Sequence, residues 1–296
     1  MTVSERRSTC TVRIVGLTPR LTYVPAPDPA DAALEYGEML RLAIDIATEV
    51  AERLRAVRRR DSLTVNTKST STDMVTDMDV WAEKHIVDRL LDARPHDGVL
   101  GEEGTTIAGT SGYVWCIDPI DGTTNFFYGH PGYSVSIAAL IDGEPVVGVV
   151  ADPELGQQFT AVRGYGAWLD NEPIHASSLD ALALALVGTG FGYSAERRAR
   201  QGAVLTRLLP QIRDIRRMGG AALDLCSVGC GRLDAFYERG LNPWDVAAGG
   251  LVAVEAGARL TDFDGNTSWA GDIVAAPASL HDALLEQLRA AGVHAT

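Results

Sequence analysis

Cysteine is scarce in this sequence, and its spacing does not fit a thiol-based site. The four cysteines are Cys10, Cys116, Cys226 and Cys230, and no two of them form a C-x-x-C pair. No histidine lies close to Cys226 and Cys230 in the sequence, so the ligand set of a structural zinc site is missing. Small buried thiols in a reducing compartment are the simplest interpretation.

Long hydrophobic runs are absent as well. No apolar run approaches the roughly 18 residues that a membrane-spanning helix needs. The N-terminal segment lacks a compact hydrophobic stretch followed by a small-residue cleavage site, so a secretory signal is not expected. These features predict a cytoplasmic protein that has no membrane partner.

Positive charge is in deficit. The sequence contains 26 Lys and Arg residues against 39 Asp and Glu residues, which gives a formal net charge of −13. An acidic surface repels the phosphate backbone, and no basic groove accompanies the tryptophans, so nucleic-acid binding is not expected. An anionic small molecule can still bind among carboxylates when divalent cations lie between them.

Hydrophobic periodicity divides the chain into alternating helices and strands. Residues 1–30, which end in the run Pro25-Ala-Pro27-Asp-Pro29, are predicted to be a disordered tail. Residues 31–296 are predicted to form one domain of two lobes, at about 31–180 and 181–296. Helices are predicted at about Asp31–Arg60, Asp77–Ala93, 196–209, 220–229, 244–256 and 279–290. Strands are predicted at Tyr113–Asp118, Ser134–Ile141, Val146–Ala151, Gln158–Val162, Leu184–Gly188, Leu233–Tyr237, 258–263 and 273–276, with a loop or short hairpin at 61–76. This order predicts an α+β fold of mixed layers rather than a simple doubly wound sheet.

The most informative segment is Trp115-Cys-Ile-Asp118-Pro-Ile-Asp121-Gly-Thr-Thr-Asn125. A hydrophobic strand is predicted to end at Asp118, where the following proline interrupts regular pairing and Gly122 favours a tight turn. Two carboxylates three residues apart at a strand end can point into one pocket, and such oxygen ligands favour Mg²⁺ or Mn²⁺ over zinc. Free N–H groups at the start of a following helix could cradle a phosphate. An isolated D-x-x-D pair would more often be a helix cap and a turn residue, so the wider context decides.

That context resembles the inositol monophosphatase family. The stretch Asp118–Asn125 is similar to the family signature D-P-[IL]-D-G-T-x-N. Three further blocks occur in the family's order: the loop that carries Lys68, Asp73, Thr76 and Asp79, the Gly101-Glu-Glu103 block, and Trp244-Asp245-Val-Ala-Ala-Gly249. The resemblance covers roughly residues 34–290. It implies a layered α-β-α-β-α sandwich, a lithium-sensitive phosphatase activity, a small-molecule phosphate ester as substrate, and a homodimer.

The resemblance also implies a ligand set for two or three Mg²⁺ ions. Glu102, Asp118 and the backbone carbonyl of Ile120 would hold the first ion. Asp118, Asp121 and Asp245 would hold the second, and a third, weaker ion would contact Glu102. Paired metals are suited to phosphate monoesters, because they neutralise charge on both the entering and the leaving oxygen.

Catalytic and substrate roles follow from the same resemblance. Asp79 and Thr123 match the family pair that orients and deprotonates the attacking water, and Glu102 completes the predicted catalytic set. Glu238 matches a residue that binds substrate hydroxyls, whereas Lys68 is only a supporting candidate. Gly219-Gly220-Ala221 matches a substrate-facing turn that usually reads G-[ST]-A, so Gly220 replaces a hydroxyl side chain. The predicted substrate-binding residues are Ile120, Asp121, Gly122, Thr123, Gly219, Gly220, Ala221, Glu238 and Asp245.

Two alternatives remain open at this stage. The metal core recognises only the phosphate, so it does not separate inositol monophosphates from fructose 1,6-bisphosphate, histidinol phosphate, 3′-phosphoadenosine phosphates or NADP. The presence of Glu238 favours a polyol. An alternative from a different class is a non-catalytic partner of the transcription machinery.

Overall fold

The computed structural model describes residues 29–58, 65–67 and 74–295. Within them, the helices are α1 (Pro29–Arg58), α2 (Asp77–Ala93), α3 (Thr123–Tyr128), α4 (Ala195–Leu208), α5 (Ala221–Gly229), α6 (Pro243–Glu255) and α7 (Ala278–Ala290). Short 3₁₀ turns lie at Leu182–Leu184, Leu209–Gln211 and Val293–Ala295. In the part of the chain so described, every helix is too short or too polar to span a membrane.

An eight-stranded sheet dominates the first half of the chain. Its strands are β3 (Gly98–Gly101), β4 (Thr106–Ile107), β5 (Tyr113–Asp121), β6 (Ser134–Ile141), β7 (Glu144–Asp152), β8 (Gln157–Val162), β9 (Gly166–Leu169) and β10 (Glu172–Pro173). They are ordered β10-β9-β8-β7-β6-β5-β3-β4, and neighbours are antiparallel except for the parallel pair β3 and β5. The parallel pair brings the carboxyl ends of β3 and β5 to the same edge of the sheet.

A second sheet of five strands lies in the other half. Its strands are β11 (Leu186–Thr189), β12 (Asp214–Arg216), β13 (Ala235–Leu241), β14 (Ala258–Thr261) and β15 (Gly271–Pro277). They are ordered β12-β11-β13-β15-β14, with β11 parallel to both of its neighbours. A separate antiparallel hairpin pairs β1 (Val65–Thr67) with β2 (Met74–Thr76).

Helices cover both faces of each sheet, which gives five layers. Helices α1 and α2 pack on one face of the large sheet, and α5 and α6 lie between its other face and the small sheet. Helices α4 and α7 cover the outer face of the small sheet. Because each helix buries an apolar face against a sheet, the predicted α-β-α-β-α arrangement is the observed one.

Several predicted boundaries need correction. Strand β5 continues to Asp121 instead of ending at Asp118, because a register irregularity between these residues lets the strand pass the proline, which has no N–H. The predicted strand Leu184–Gly188 begins only at Leu186, since the preceding leucines form a 3₁₀ turn. The predicted strand Leu233–Tyr237 lies at Ala235–Leu241. Helix α1 begins at Pro29, where proline is favoured because the first helical N–H has no partner to lose. The predicted tail up to residue 28, Lys68 and Asp73 lie outside the described residues.

Candidate functional site

Three carboxylates from two distant parts of the chain meet at the edge of the large sheet. Asp118 and Asp121 lie near the end of β5, and Asp245 lies in the first turn of α6. One oxygen from each falls within 4.8 Å of the others. Asp118 and Asp121 are only 1% and 7% exposed, so the like charges of the cluster face each other in a poorly solvated place.

The irregular end of β5 determines the orientation of its two aspartate side chains. Asp118 lies opposite Ser136 and Asp121 opposite Ser134, with the register break between them. The Ile120 N–H donates to Asp118 Oδ1 at 3.0 Å, which fixes that carboxylate against its own backbone. The break therefore brings two side chains three residues apart to one side of the strand end.

Helices α5 and α6 complete the cluster from the other side. The N–H groups of Ala221 and Ala222 donate to the two oxygens of Asp121, at 3.2 and 2.8 Å. Asp245 Oδ2 accepts from the Asn242 N–H at 2.6 Å, as in a capping box. Both carboxylates thus lie at helix N-termini, where backbone donors and the helix dipole favour negative charge.

The electrostatics of the cluster favour binding of a cation. Burial raises the pKa of Asp118, and the charges of Glu102, Asp121 and Asp245 raise it further. Burial likewise raises the pKa of Asp121, although its bond from Ala222 opposes the rise. The pKa of Asp245 is raised to about 7, mainly by burial. Positive charge among these groups would oppose both causes of the raised pKa values, burial and mutual repulsion.

The donor set fits a hard divalent cation. All nearby ligands are oxygens: three aspartates, the half-buried Glu102, and the Ile120 carbonyl. Burial raises the pKa of the nearby Cys116 thiol to about 12, and among the described residues the candidate ligands that cluster here are aspartates, without cysteine or histidine. Oxygen-only coordination suits Mg²⁺ or Mn²⁺.

A second pair lies beside the cluster. The Thr123 hydroxyl is 3.1 Å from Asp79 Oδ1 and 3.1 Å from the Ile120 carbonyl. Asp79 is fully buried in the first turn of α2, and Thr123 begins α3 after Gly122, whose φ of 87° suits glycine. The fold therefore brings together Asp79 and Thr123, which lie 44 residues apart in the sequence.

A cleft of about 350 Å³ opens from the cluster towards the small sheet. The predicted site residues that line it are Glu102, Asp121, Gly122, Gly219, Ala221, Glu238 and Asp245. Burial raises the pKa of Glu238 to about 7, against the lowering influence of the Arg217 and Arg197 guanidinium groups. The Ile120 side chain is fully buried, so only its backbone is available to the site.

Gly220 lies behind the cleft wall rather than on its surface. A Cβ atom at this position would be 3.0 Å from both Asp121 Oδ2 and the Gly132 carbonyl. The missing side chain therefore permits close approach between the start of α5 and the Asp121 carboxylate.

Sequence reasoning missed several residues of the site. Arg197 on α4, Arg217 before α5 and Arg239 on β13 line the cleft, and no local pattern marks Arg197 or Arg217. Glu83 binds the turn that carries Glu102. Its signal was present, because Glu83 follows Asp79 by four residues on one face of a predicted helix.

Comparison with known proteins supplies independent information. A sequence model described as the inositol monophosphatase family matches residues 35–292. An inositol-1-monophosphatase of Mycobacterium leprae is 44% identical over 287 residues, covering 90% of this chain and 96% of the relative. A Pseudomonas aeruginosa protein named Nus factor SuhB is 40% identical over 260 residues, covering 85% and 96%. The crystal structure of the extragenic suppressor protein suhB from Bartonella henselae superimposes with a TM-score of 0.81 at 34% identity, covering 85% and 98%.

Proposed function

The chain belongs to the inositol monophosphatase family, and on that premise we propose that it is a Mg²⁺-dependent phosphomonoesterase that hydrolyses inositol monophosphates to inositol and phosphate. The observation that carries the proposal is the convergence of Asp118, Asp121 and Asp245 beside one cleft. Their all-oxygen chemistry and their raised pKa values support a divalent cation as their ligand.

The proposed metal ligands divide between two positions. Glu102, Asp118 and the Ile120 carbonyl would hold one ion, and Asp118, Asp121 and Asp245 a second, with Glu102 available to a third. When bound, Mg²⁺ ions would neutralise the charge of the phosphate and lower the pKa of a water. The bonds from Ala221 and Ala222 to Asp121 keep this carboxylate oriented without help from the ligand.

Asp79 and Thr123 are proposed to activate the attacking water. The Thr123 hydroxyl donates to Asp79, so its oxygen lone pairs remain free to accept a hydrogen bond from the water. The water would pass its proton to the hydroxyl oxygen as the hydroxyl proton moves to Asp79. A buried carboxylate can act as a general base in this way when the water is already acidified.

Glu238 is proposed to recognise the alcohol part of the substrate. It lines the same cleft from β13, on the small sheet, whereas the metal ligands Asp118 and Asp121 come from the large sheet. A carboxylate accepts hydrogen bonds from neighbouring hydroxyls, which a polyol offers. The three arginines that line the cleft, Arg197, Arg217 and Arg239, are compatible with other phosphate esters, so related sugar and small-metabolite phosphates remain alternatives.

The test is phosphate release from an inositol monophosphate by the purified chain. Excess EDTA should abolish turnover and added Mg²⁺ should restore it, because the proposed site loses its charge balance without metal. A panel with fructose 1,6-bisphosphate, histidinol phosphate, a 3′-phosphoadenosine phosphate and NADP ranks substrates by kcat/KM. Full turnover in EDTA would contradict the metal mechanism, and no turnover of any monoester with Mg²⁺ would contradict the phosphatase.

The name of the Pseudomonas aeruginosa relative favours a second candidate, a protein partner of the transcription machinery. A role as a binding partner would not by itself account for the clustered carboxylates. A pull-down of the transcription machinery by the purified chain, without added nucleic acid, tests it. Retention by both the wild-type chain and the Asp118→Asn variant would support a binding role independent of the metal centre.

A further inference from the structure

Glu83 is a buried carboxylate that the proposed reaction does not use. We propose that it is a positioning residue for the metal centre: it holds the turn that carries Glu102 and thereby sets the affinity of the site for a divalent cation. The proposal rests on the metal-dependent function above, and it concerns a residue that contacts neither metal nor substrate.

Three donors from the turn converge on the Glu83 carboxylate. Oε2 accepts from the Glu103 N–H at 2.7 Å, and Oε1 accepts from the Thr105 N–H at 3.0 Å and from the Thr105 hydroxyl at 2.6 Å. The side chain is only 4% exposed. Bonds from neutral donors to an ionised acceptor in such a place are stronger than ordinary ones, so the turn is fixed on both sides of its exposed Gly104.

Gly101 makes this contact possible. A Cβ atom at Gly101 would lie 2.4 Å from Glu83 Oε2. The carboxylate therefore packs directly against the backbone of the residue before Glu102. A change in the reach of Glu83 will displace that backbone, because no intervening side chain can absorb the movement.

Helix α2 thus joins two parts of the site. Asp79 and Glu83 are one helical turn apart and lie on the same face. Asp79 contacts Thr123 at the start of α3, just after β5, while Glu83 holds the turn that follows β3. Further bonds also hold the turn, among them Glu102 N–H to the Ile117 carbonyl at 3.3 Å and Gly101 N–H to the Thr105 carbonyl at 2.8 Å. Glu83 adds three side-chain bonds from α2 and so contributes to where Glu102 lies relative to Asp118, which the Glu102 side chain also contacts.

The experiment is calorimetric titration of the full chain with Mg²⁺ and with Mn²⁺. Glu83→Gln replaces one acceptor oxygen with an NH₂ group that faces a backbone donor, so the turn must move. Groups that orient metal ligands typically change affinity by about 10- to 100-fold when they are altered, and we expect a loss in that range. Glu83→Asp keeps the charge but is shorter by one methylene, and we expect a loss of similar size.

Two further variants separate positioning from charge and from folding. Asp88→Asn removes a charge from the exposed face of the same helix, where Asp88 pairs with Lys84, and should leave metal affinity within about twofold. Thr105→Val removes only the hydroxyl donor to Glu83 and should weaken binding by about fivefold, as expected for one hydrogen bond. If the Glu83 variants do not fold, the metal affinity of Thr105→Val tests the proposal in their place.

The outcomes are distinct from those that test the proposed function. Wild-type protein that binds neither cation would overturn the proposed function itself. Given wild-type binding, weaker binding in Glu83→Gln, Glu83→Asp and Thr105→Val, with Asp88→Asn unchanged, supports positioning. Lower thermal stability of the Glu83 variants with unchanged metal affinity would show that Glu83 has only a structural role. Normal affinity in Glu83→Asp alone would assign the effect to charge. Either result overturns the proposal.

Discussion

Asp118 belongs to the carboxylate cluster proposed to bind metal. It is 1% exposed, one of its oxygens accepts from the Ile120 N–H, and the residue opposite it in β6, Ser136, donates to the Trp244 carbonyl next to Asp245. These bonds tie the end of the large sheet to the start of α6. Asp118 is the carboxylate proposed to contact both cations, so loss of its charge would weaken the binding of both.

Asp118→Asn should lower kcat by about three orders of magnitude or more, because metal-based stabilisation of the transition state amounts to several kcal/mol. The value of kcat should fall to a similar extent on inositol 1-phosphate and on a simple aryl phosphate, since both present the same phosphate to the metals. Steady-state kinetics measure the loss, and circular dichroism checks the fold. Near-normal turnover in this variant would contradict the proposed mechanism.

Glu238→Gln should act on recognition instead of chemistry. The variant keeps the shape of the side chain but loses one acceptor, so KM for inositol phosphates should rise by about 10-fold while kcat changes little. An aryl phosphate, which lacks the hydroxyls, is the control and should be unaffected. If kcat falls equally on both substrates, Glu238 has no selectivity role.

The residues that sequence could identify differ from those that it could not. Asp118, Asp121 and Gly122 lie in one contiguous block, and the sequence around them indicated a shared pocket. Arg197 and Arg217 reach the cleft from separate elements, and nothing in their neighbours marks them. Positions of this second kind depend on tertiary packing, which a single sequence does not encode as a local pattern.

At the scale of elements, the packing of α5 against α6 positions the backbone N–H groups that bind the Asp121 carboxylate. A Cβ atom on Gly249 in α6 would lie 2.5 Å from the Ala222 carbonyl and 3.0 Å from its Cα. Ala222 is the residue whose N–H donates to Asp121 at 2.8 Å. Close approach of the two helices is therefore linked to the geometry of the cluster.

Gly249→Ala should destabilise the protein by about 1–3 kcal/mol, because the added methyl forces the two helices apart. Mg²⁺ affinity should fall as well, since α5 then moves away from Asp121. Chemical denaturation and calorimetry measure the two effects. Gly202→Ala on α4 is the matched control: open space surrounds that position, so it should stabilise by about 0.5–1 kcal/mol. Equal stability of the two variants would refute the packing argument.

Long periodic elements were predictable, whereas short ones were not. The predicted helix Asp77–Ala93 and the predicted strand Ser134–Ile141 are confirmed at both ends. The strands β4, β10 and β12 have two or three residues, too few for an alternating pattern to appear. They depend on pairing with longer neighbours, and that pairing is decided by the assembled sheet.

At the scale of the whole molecule, the site lies where the two sheets face each other across α5 and α6. Asp118 and Asp121 come from the large sheet, Glu238 comes from the small sheet, and Asp245 comes from the layer between them. The division into two lobes, the homodimer, the cytoplasmic location and the lithium sensitivity stay predictions. A metal centre at such a junction should stabilise the fold, because its proposed ligands join two of the five layers, the large sheet and the helix layer that contains α6.

Stability of the metal-free protein should fall as the pH rises. The carboxyls of Asp118, Asp121 and Asp245 have raised pKa values in the folded state, about 7 for Asp245, against about 4 when unfolded. Between these values the folded state binds more protons than the unfolded state, so each pH increase favours unfolding. This contribution to stability is complete below about pH 4 and is lost as the pH passes through the folded pKa values.

Mg²⁺ should reverse that loss, because it replaces the protons with positive charge and binds only the folded site. The difference in Tm with and without Mg²⁺ should therefore be larger at about pH 8 than at about pH 6. Comparing the two melts at each pH cancels groups remote from the cluster, such as the buried His281, whose lowered pKa acts in the opposite direction. Asp245→Asn removes one of the titrating carboxyls and should reduce the pH dependence of that difference. A difference in Tm that is constant across this range would mean that cation binding is not coupled to the loss of protons from the cluster.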